Sequence, residues 1–285
     1  MDCIDALIQG TVQGLAEYLP ISSSGHLQIC RDVLGLHMEG GDALQFDVAL
    51  HVATVLSTIV VLWHEFLPLV KSFFGFKRDA YTTYVFKLLV SAIPIMIVGL
   101  LFKDKIEQLF QGNLTTVGIA LCFTALLLTF AYFFRTRPEE ESVPDNSAAR
   151  SKALRRGRDI TFVDAFIIGI SQDIAVIPGL SRSGATIATG LIIGDKREKV
   201  AQFSFFMVIL PILGEALLDL KDMIGSGAEA AATQSIGLLP LLVGFIASFV
   251  VGCIACKWML NIVKKGKLVW FAVYCLIMGL VCIFF

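Results

Sequence analysis

Two short stretches of this chain hold the side chains that could do chemistry, and they hold them in the same order. Residues 13–27 read Gln-Gly-Leu-Ala-Glu-Tyr-Leu-Pro-Ile-Ser-Ser-Ser-Gly-His-Leu, and residues 172–187 read Gln-Asp-Ile-Ala-Val-Ile-Pro-Gly-Leu-Ser-Arg-Ser-Gly-Ala-Thr-Ile. Each passes through a proline, Pro20 or Pro178, into hydroxyls and a glycine: Ser22, Ser23, Ser24 and Gly25 first, then Ser181, Arg182, Ser183 and Gly184. Gln13 and Glu17, four apart, share a helix face just ahead of Pro20. One serine after the proline could be an N-cap, but three beside a glycine and the His26 imidazole exceed what capping requires. In the second stretch Ser181, Arg182, Ser183 and Thr186 stand at the start of a short helix, whose free N–H groups and dipole favour an anion. Arg182 adds a permanent charge and a fork that matches phosphate oxygens. Its other natural partner is Glu17, in an ion pair that could open to admit a phosphate. Asp47 and His51, an i, i+4 pair in an apolar span, are expected behind these groups as a hydrogen-bonded support.

The surrounding sequence says what must position them. With 56% hydrophobic and 16% charged residues over 285 positions, and several apolar runs of 18–21 residues, the chain is expected to be an all-α polytopic membrane protein. The apolar segments flanking the two prolines are shorter: 4–19 and 162–177 before them, 24–36 and 183–194 after. At about 1.5 Å per residue such pieces reach roughly 18–24 Å, short of a hydrocarbon core of about 30 Å. Two re-entrant helical hairpins, 4–36 and 162–194, are therefore expected, their polar breaks covered by protein or water. Three long spans follow each: 43–63, 84–102 and 114–134, then 200–218, 236–256 and 268–285.

The serine clusters lie 159 residues apart, and Ala-Leu-Gln-Phe at 43–46 is echoed by Val-Ala-Gln-Phe 157 residues later. This predicts a duplication, with a first repeat 1–134 and a second repeat 162–285. Because a hairpin does not cross and three spans do, the second repeat must be inverted, which makes six spans in all. Seventeen Lys and Arg fall in 64–83, 135–161, 195–199 and 257–267, against four (Arg31, Lys103, Lys105, Lys221) on the other side. By the positive-inside rule the first face is cytoplasmic and both termini lie outside, so 135–161 is a cytoplasmic linker. The opening Met-Asp-Cys-Ile-Asp lacks a basic n-region, so the first segment is expected to stay in place. Six of seven cysteines sit in or beside apolar segments; no disulfide is expected, and Cys253 and Cys256 are read as small packing residues. A net charge of −1 gives no ground for a nucleic-acid partner.

Residues 13–26 and 178–186 together resemble the two signatures of the bacterial undecaprenyl-diphosphatase family of the bacitracin-resistance type, and the likeness runs over nearly the whole chain. The resemblance implies an inner-membrane enzyme. It would remove the terminal phosphate of undecaprenyl diphosphate on the outer side and so recycle the lipid carrier for cell-wall synthesis. It implies a divalent cation, Mg²⁺ or Ca²⁺, and places Glu17, Ser23, His26, Ser181, Arg182 and Thr186 in the site. Ser22, Ser24, Gly25, Ser183 and Gly184 complete the expected phosphate-binding set. Some family members carry glutamate where this chain has Gln13, so Gln13 and Glu17 are the expected metal ligands, with an amide oxygen in place of one carboxylate. The expected partners are a polyprenyl diphosphate lipid and the bilayer, with room for a homodimer.

A type-2 phosphatidic-acid phosphatase is excluded, because Ala188 stands where that family needs its second histidine. A polyprenyl-phosphate flippase or anion transporter shares the inverted-repeat anatomy with a midplane site. A hydroxyl, an imidazole, a carboxylate and a guanidinium together favour an enzyme, since a binding site would need only donors. The expected mechanism has Ser23 attack the terminal phosphorus, Glu17 hold the metal and His26 handle protons; attack by water, with Ser23 only binding phosphate, is the rival.

Overall fold

The computed structural model describes residues 1–36, 40–101, 113–133, 158–225 and 236–284. Lys103 and Lys105, most of the predicted linker (135–157) and the last residue of three predicted spans, at 102, 134 and 285, lie outside the described residues. Every extended element among those described is an α-helix; the one β contact is an isolated bridge between Arg158 and Asp195.

Each predicted hairpin is a pair of short helices around its proline. α1 (Cys3–Ala16) begins with a capping box, Asp2 accepting from the Asp5 N–H and Asp5 returning the bond, and stops at Glu17. After the turn through Pro20, α2 (Ser23–Val33) is capped by Ser22, whose Oγ accepts from Gly25 N at 3.2 Å. Four described helices lead into the second such pair: α3 (Gly40–Val61), α4 (Trp63–Phe74), α5 (Ala80–Leu101) and α6 (Leu114–Phe133), and the pair itself is α7 (Phe162–Ile174) and α8 (Arg182–Ile192). α7 repeats the α1 design with a Thr161–Asp164 capping box, and α8 repeats that of α2, Ser181 Oγ accepting from Gly184 N at 3.0 Å. The turn between α7 and α8 uses Gly179 at φ +89°, where its Cα also lies against α6 too closely for a side chain. α1 packs on α2, and α7 on α8.

The chain closes with α9 (Arg197–Met207), α10 (Ile209–Gly225), α11 (Leu238–Lys265) and α12 (Val269–Phe284). α5, α6, the α9–α10 run over Arg197–Leu218 and α11 are long and apolar enough to cross a membrane. α3 and α4 add a fifth candidate only as a bent pair, turning through 91° at Leu62. The predicted span 43–63 thus ends in a sharp corner, and the segment expected as a loop from residue 64 opens with a helix. The predicted final span is represented by α12, which at 16 residues reaches about 24 Å and falls below the length of the other four. α11 is the opposite case: it continues to Lys265 through the basic segment expected as a loop, until Gly266 at φ +68° ends it.

The helices that begin the two halves are held by backbone-to-backbone contact at small residues. A Cβ at Gly10 of α1 would lie 2.3 Å from the Gly244 carbonyl of α11, and one at Gly169 of α7 would lie 2.5 Å from the Ser91 carbonyl of α5. With so little side chain between them the helices approach closely, as small-residue interfaces in membranes do. The arrangement is reciprocal: α1 of the first half rests on α11 of the second, and α7 of the second rests on α5 of the first.

Candidate active site

Glu17 is the centre of the constellation. It sits just past α1, where the helix gives way to the Pro20 turn, and is held there by its neighbour Tyr18. The Tyr18 ring is buried against Phe205, and its hydroxyl reaches the Thr54 carbonyl at 2.6 Å, Thr58 Oγ1 at 2.9 Å and Ser57 Oγ. One carboxylate oxygen of Glu17, Oε2, accepts from Ser23 Oγ at 2.8 Å and from Gln13 Nε2 at 3.0 Å, and faces His51 Nε2 at 3.6 Å. The other, Oε1, takes Arg182 Nη2 at 3.1 Å. The side chain of Glu17 is only 8% exposed and that of Arg182 27%, so the pair joins the two halves of the chain largely out of water. The ion pair considered as the alternative role of Arg182 is therefore present.

The start of α8 is tied to the first half and to α6. Ser183 Oγ donates to the Leu19 carbonyl at 3.1 Å, and Ser181 N donates to Thr124 Oγ1 at 3.1 Å. Gly25 comes so close to Gly179 that a Cβ on it would lie 2.9 Å from the Gly179 Cα. The beginnings of α2 and α8, each carrying the partial positive charge of a helix N-terminus, are thereby brought together beside Glu17 and Arg182. Ser22 holds its place at φ +71°, a left-handed backbone conformation that a non-glycine residue seldom adopts.

Not every expected group is free to act in the way its position suggests. Ser22 and Ser181 spend their oxygens on capping, and Ser24 Oγ lies 3.4 Å from Ser22 Oγ. Thr186 is buried and donates back to the Arg182 carbonyl at 2.9 Å, so it braces α8. His26 is one helical turn beyond Ser23 and points away from it. Its Nδ1 donates to the Ser22 carbonyl at 2.8 Å, and its Nε2 lies 2.8 Å from the Tyr274 hydroxyl of α12. Asp47 and His51 share one helix but do not join side chain to side chain. His51 Nδ1 donates to the Asp47 main-chain carbonyl at 2.7 Å, while the Asp47 carboxylate pairs with Arg31.

Two participants were not singled out from the sequence. Arg31, counted only as an outer-face charge, ties α2 to α3 through Asp47 and to α1 through Gln9, whose Oε1 accepts from Arg31 Nε at 2.9 Å. Opposite charges in two separate apolar segments were the available signal. Tyr274 is the one hydroxyl in α12, and nothing local to it points to His26, 248 residues away.

A cavity of about 20 Å³ lies against the centre, lined by Glu17, Tyr18, Thr54, Thr58, Arg182, Ser183 and Ser204 among others. That is room for about one water molecule while Arg182 and Glu17 are paired. For a cation, the fitting feature is Gln13: it is fully buried, and its Oε1 has no hydrogen-bond partner. An unpaired amide oxygen next to a carboxylate suits a hard divalent ion. Among the described residues no cluster of three His, Cys, Asp or Glu side chains offers a site of another kind.

A sequence profile of the bacitracin resistance protein BacA matches residues 6–281. A protein from Bacteroides fragilis named undecaprenyl-diphosphatase is 51% identical over 283 residues, covering 99% of this chain and 98% of that one. The protein of the same name from Parabacteroides distasonis is 52% identical with the same coverage. That from Carboxydothermus hydrogenoformans is 38% identical, covering 98% of this chain and 95% of its own.

Proposed function

The chain belongs to the bacitracin resistance protein BacA family, and on that premise we propose that it is an integral membrane phosphatase acting on undecaprenyl diphosphate. The products are undecaprenyl phosphate and inorganic phosphate, the reaction recycles the lipid carrier for cell-wall synthesis, and its activity confers resistance to bacitracin. The observation that carries the reading is the Ser23–Glu17–Arg182 array, in which a hydroxyl already donates to a buried carboxylate at 2.8 Å and a guanidinium waits on the same carboxylate at 3.1 Å.

The residues divide the work as follows. Arg182 leaves Glu17 Oε1 for the terminal phosphate, and its planar fork neutralises charge as the phosphoryl group transfers. Ser23 Oγ forms the new bond to phosphorus while the bond to the bridging oxygen breaks, and the lipid monophosphate departs with that electron pair. The Ser23 proton passes to Glu17 Oε2, the acceptor it already faces. Water then attacks the phosphorus held on Ser23, the Oγ–P bond breaks as Glu17 returns the proton to Oγ, and His26 takes the proton that the water gives up once its Nε2 turns from Tyr274. Gln13 and Glu17 would hold a divalent cation, which when bound supplies further charge neutralisation to the diphosphate. The starts of α2 and α8 surround the anion with N–H groups and favourable dipoles.

The membrane arrangement follows the same reading: an inverted repeat of two re-entrant hairpins and six spans, with termini and active-site opening on the outer side. The reciprocal packing of α1 on α11 and α7 on α5 supports it, as does the match of caps and breaks in the two halves.

The test is a quenched reaction of the purified protein with substrate radiolabelled in its terminal phosphate. Label should be retained on Ser23, and Ser23→Ala should lower turnover on the order of 10³-fold. A Ser23→Ala protein within tenfold of the parent, with no retained label, would transfer the attack to water.

A further inference from the structure

We propose that Tyr274 is a positioning residue for this reaction, its hydroxyl holding the resting His26 ring in one tautomer and one orientation, with the basic lone pair kept on Nε2 until Tyr274 yields it for proton transfer. The proposal rests on the reading of His26 as the group that handles protons. Both ends of the imidazole are engaged. A main-chain carbonyl can only accept, so the 2.8 Å contact between Nδ1 and Ser22 O puts the ring proton on Nδ1. In the neutral ring Nε2 then carries the lone pair, and the Tyr274 hydroxyl at 2.8 Å donates to it. The two rings also stack, with centroids 5.6 Å apart and planes 17° from parallel, so Tyr274 limits rotation of the imidazole as well as occupying its acceptor.

Packing alone does not explain a tyrosine here. α12 is otherwise without hydroxyl or charged side chains, and Tyr274 is 38% exposed, so a phenylalanine would bury the same face. The hydroxyl is the part that needs a partner, and it has one in the site. Cys275 is buried, and its Sγ donates to the Pro20 carbonyl at 3.5 Å. Consecutive residues of α12 thus grip the break of the first hairpin at Pro20 and at His26, while Gly279 sets α12 directly on Gly118 of α6. The last helix serves as a strut that fixes the segment carrying Ser23 and His26. Its hydrogen bond and its ring contact are both with His26, so the effect of Tyr274 on the reaction runs through that residue.

The experiment compares Tyr274→Phe, His26→Gln and the double variant in full-length protein, measuring phosphate release from a polyprenyl diphosphate in detergent. Tyr274→Phe keeps the ring and removes one hydrogen bond, so kcat should fall about three- to tenfold with KM within twofold. The double variant should be no slower than His26→Gln alone, because the hydroxyl acts only through the imidazole. Nitrogen NMR of isotope-labelled histidine, with His26 assigned by its loss in His26→Gln, gives a readout independent of turnover. The parent should show the Nδ1–H form, and Tyr274→Phe should shift Nε2 while leaving Nδ1 in place. An unchanged kcat in Tyr274→Phe, an Nε2–H ring in the parent, or an equal loss of kcat in the His26→Gln background would each overturn the proposal. Should His26→Gln keep full activity, the proton-handling reading itself fails, and the NMR result still decides whether Tyr274 holds the ring.

Discussion

Arg182→Lys separates charge from geometry at the centre of the site. In the resting arrangement one guanidinium nitrogen, Nη2, is 3.1 Å from Glu17 Oε1, and the same planar group has further N–H donors for a phosphate edge. A lysine keeps the positive charge beside a carboxylate that is only 8% exposed, so the buried pair is not left uncompensated and the fold is spared. Its single nitrogen cannot present two parallel donors to the transferring phosphoryl group. The loss is therefore about one charge-assisted hydrogen bond in the transition state, about 1.5–3 kcal/mol, which is roughly 10- to 150-fold in kcat/KM. Alanine should cost more, both because no charge remains for the phosphate and because Glu17 keeps only Ser23, Gln13 and His51 as neighbours. The measurement is colorimetric phosphate release from a polyprenyl diphosphate at substrate levels on both sides of KM, with gel filtration to confirm that each variant is folded. A lysine variant within threefold of the parent would refute the reasoning and reduce Arg182 to a structural counter-ion of Glu17.

Three further outcomes are expected. Gly10→Val should push α1 off α11, since its Cβ would fall 2.3 Å from the Gly244 carbonyl; overpacking of this kind costs at least about 1–3 kcal/mol, whereas Gly99→Ala, which meets nothing within 4 Å, should leave the melting midpoint in detergent unmoved. In a cysteine-free background, Asn113→Cys should react with impermeant thiol reagent in intact cells and Lys77→Cys should not, and the reverse would overturn the proposed orientation. Asp195, buried in the turn before α9, is pushed up to about 7 by burial first and by neighbouring Asp164 second, against the opposing pull of Arg158. A carboxyl raised in the folded state contributes stability that is complete below its ordinary value of 3.8 and is lost as pH rises through about 7. Asp195→Asn should therefore flatten the fall in melting midpoint across that window and be more stable than the parent above it; an unchanged pH profile would show that Asp195 does not titrate there.

The comparison of sequence with structure turns on how far each signal reaches along the chain. Helix starts were legible to within a residue because they depend on residues a few positions apart: segments expected from 24 and 183 begin at Ser23 and Arg182, although Ser22 and Ser181, expected to bind phosphate, cap them. The apolar windows predicted α5, α6, the α9–α10 run and α11, and the repeated order of Gln, Pro, Ser and Gly in the two stretches pointed to the groups that meet at Glu17. Even the Glu17–Arg182 pair was foreseeable, since two opposite charges in an apolar chain have strong reason to find each other. Hydropathy, however, carries no direction. The apolar character of the chain continues through Leu62, so nothing in it announced the 91° corner between α3 and α4.

Which face each helix turns toward its neighbours was decided only in three dimensions. Ser23 could have faced His26, three residues on, but the backbone at Ser22 aims it back at Glu17 while His26 looks out to α12. Asp47 could have met His51 one turn away, but the rotation of α3 offers its carboxylate to Arg31. Tyr274 enters the site because Gly118 and Gly279 let α12 lie directly on α6, at a register that also brings Cys275 to Pro20. The sequence by itself determined most of the apolar helices, the two proline breaks and the chemical groups, because those follow from local hydrogen bonding and from the cost of polar atoms in an apolar medium. The tertiary structure alone decided the pairings, because they depend on the rotation and closest approach of helices far apart in the chain, which small residues set only when the packed surfaces meet.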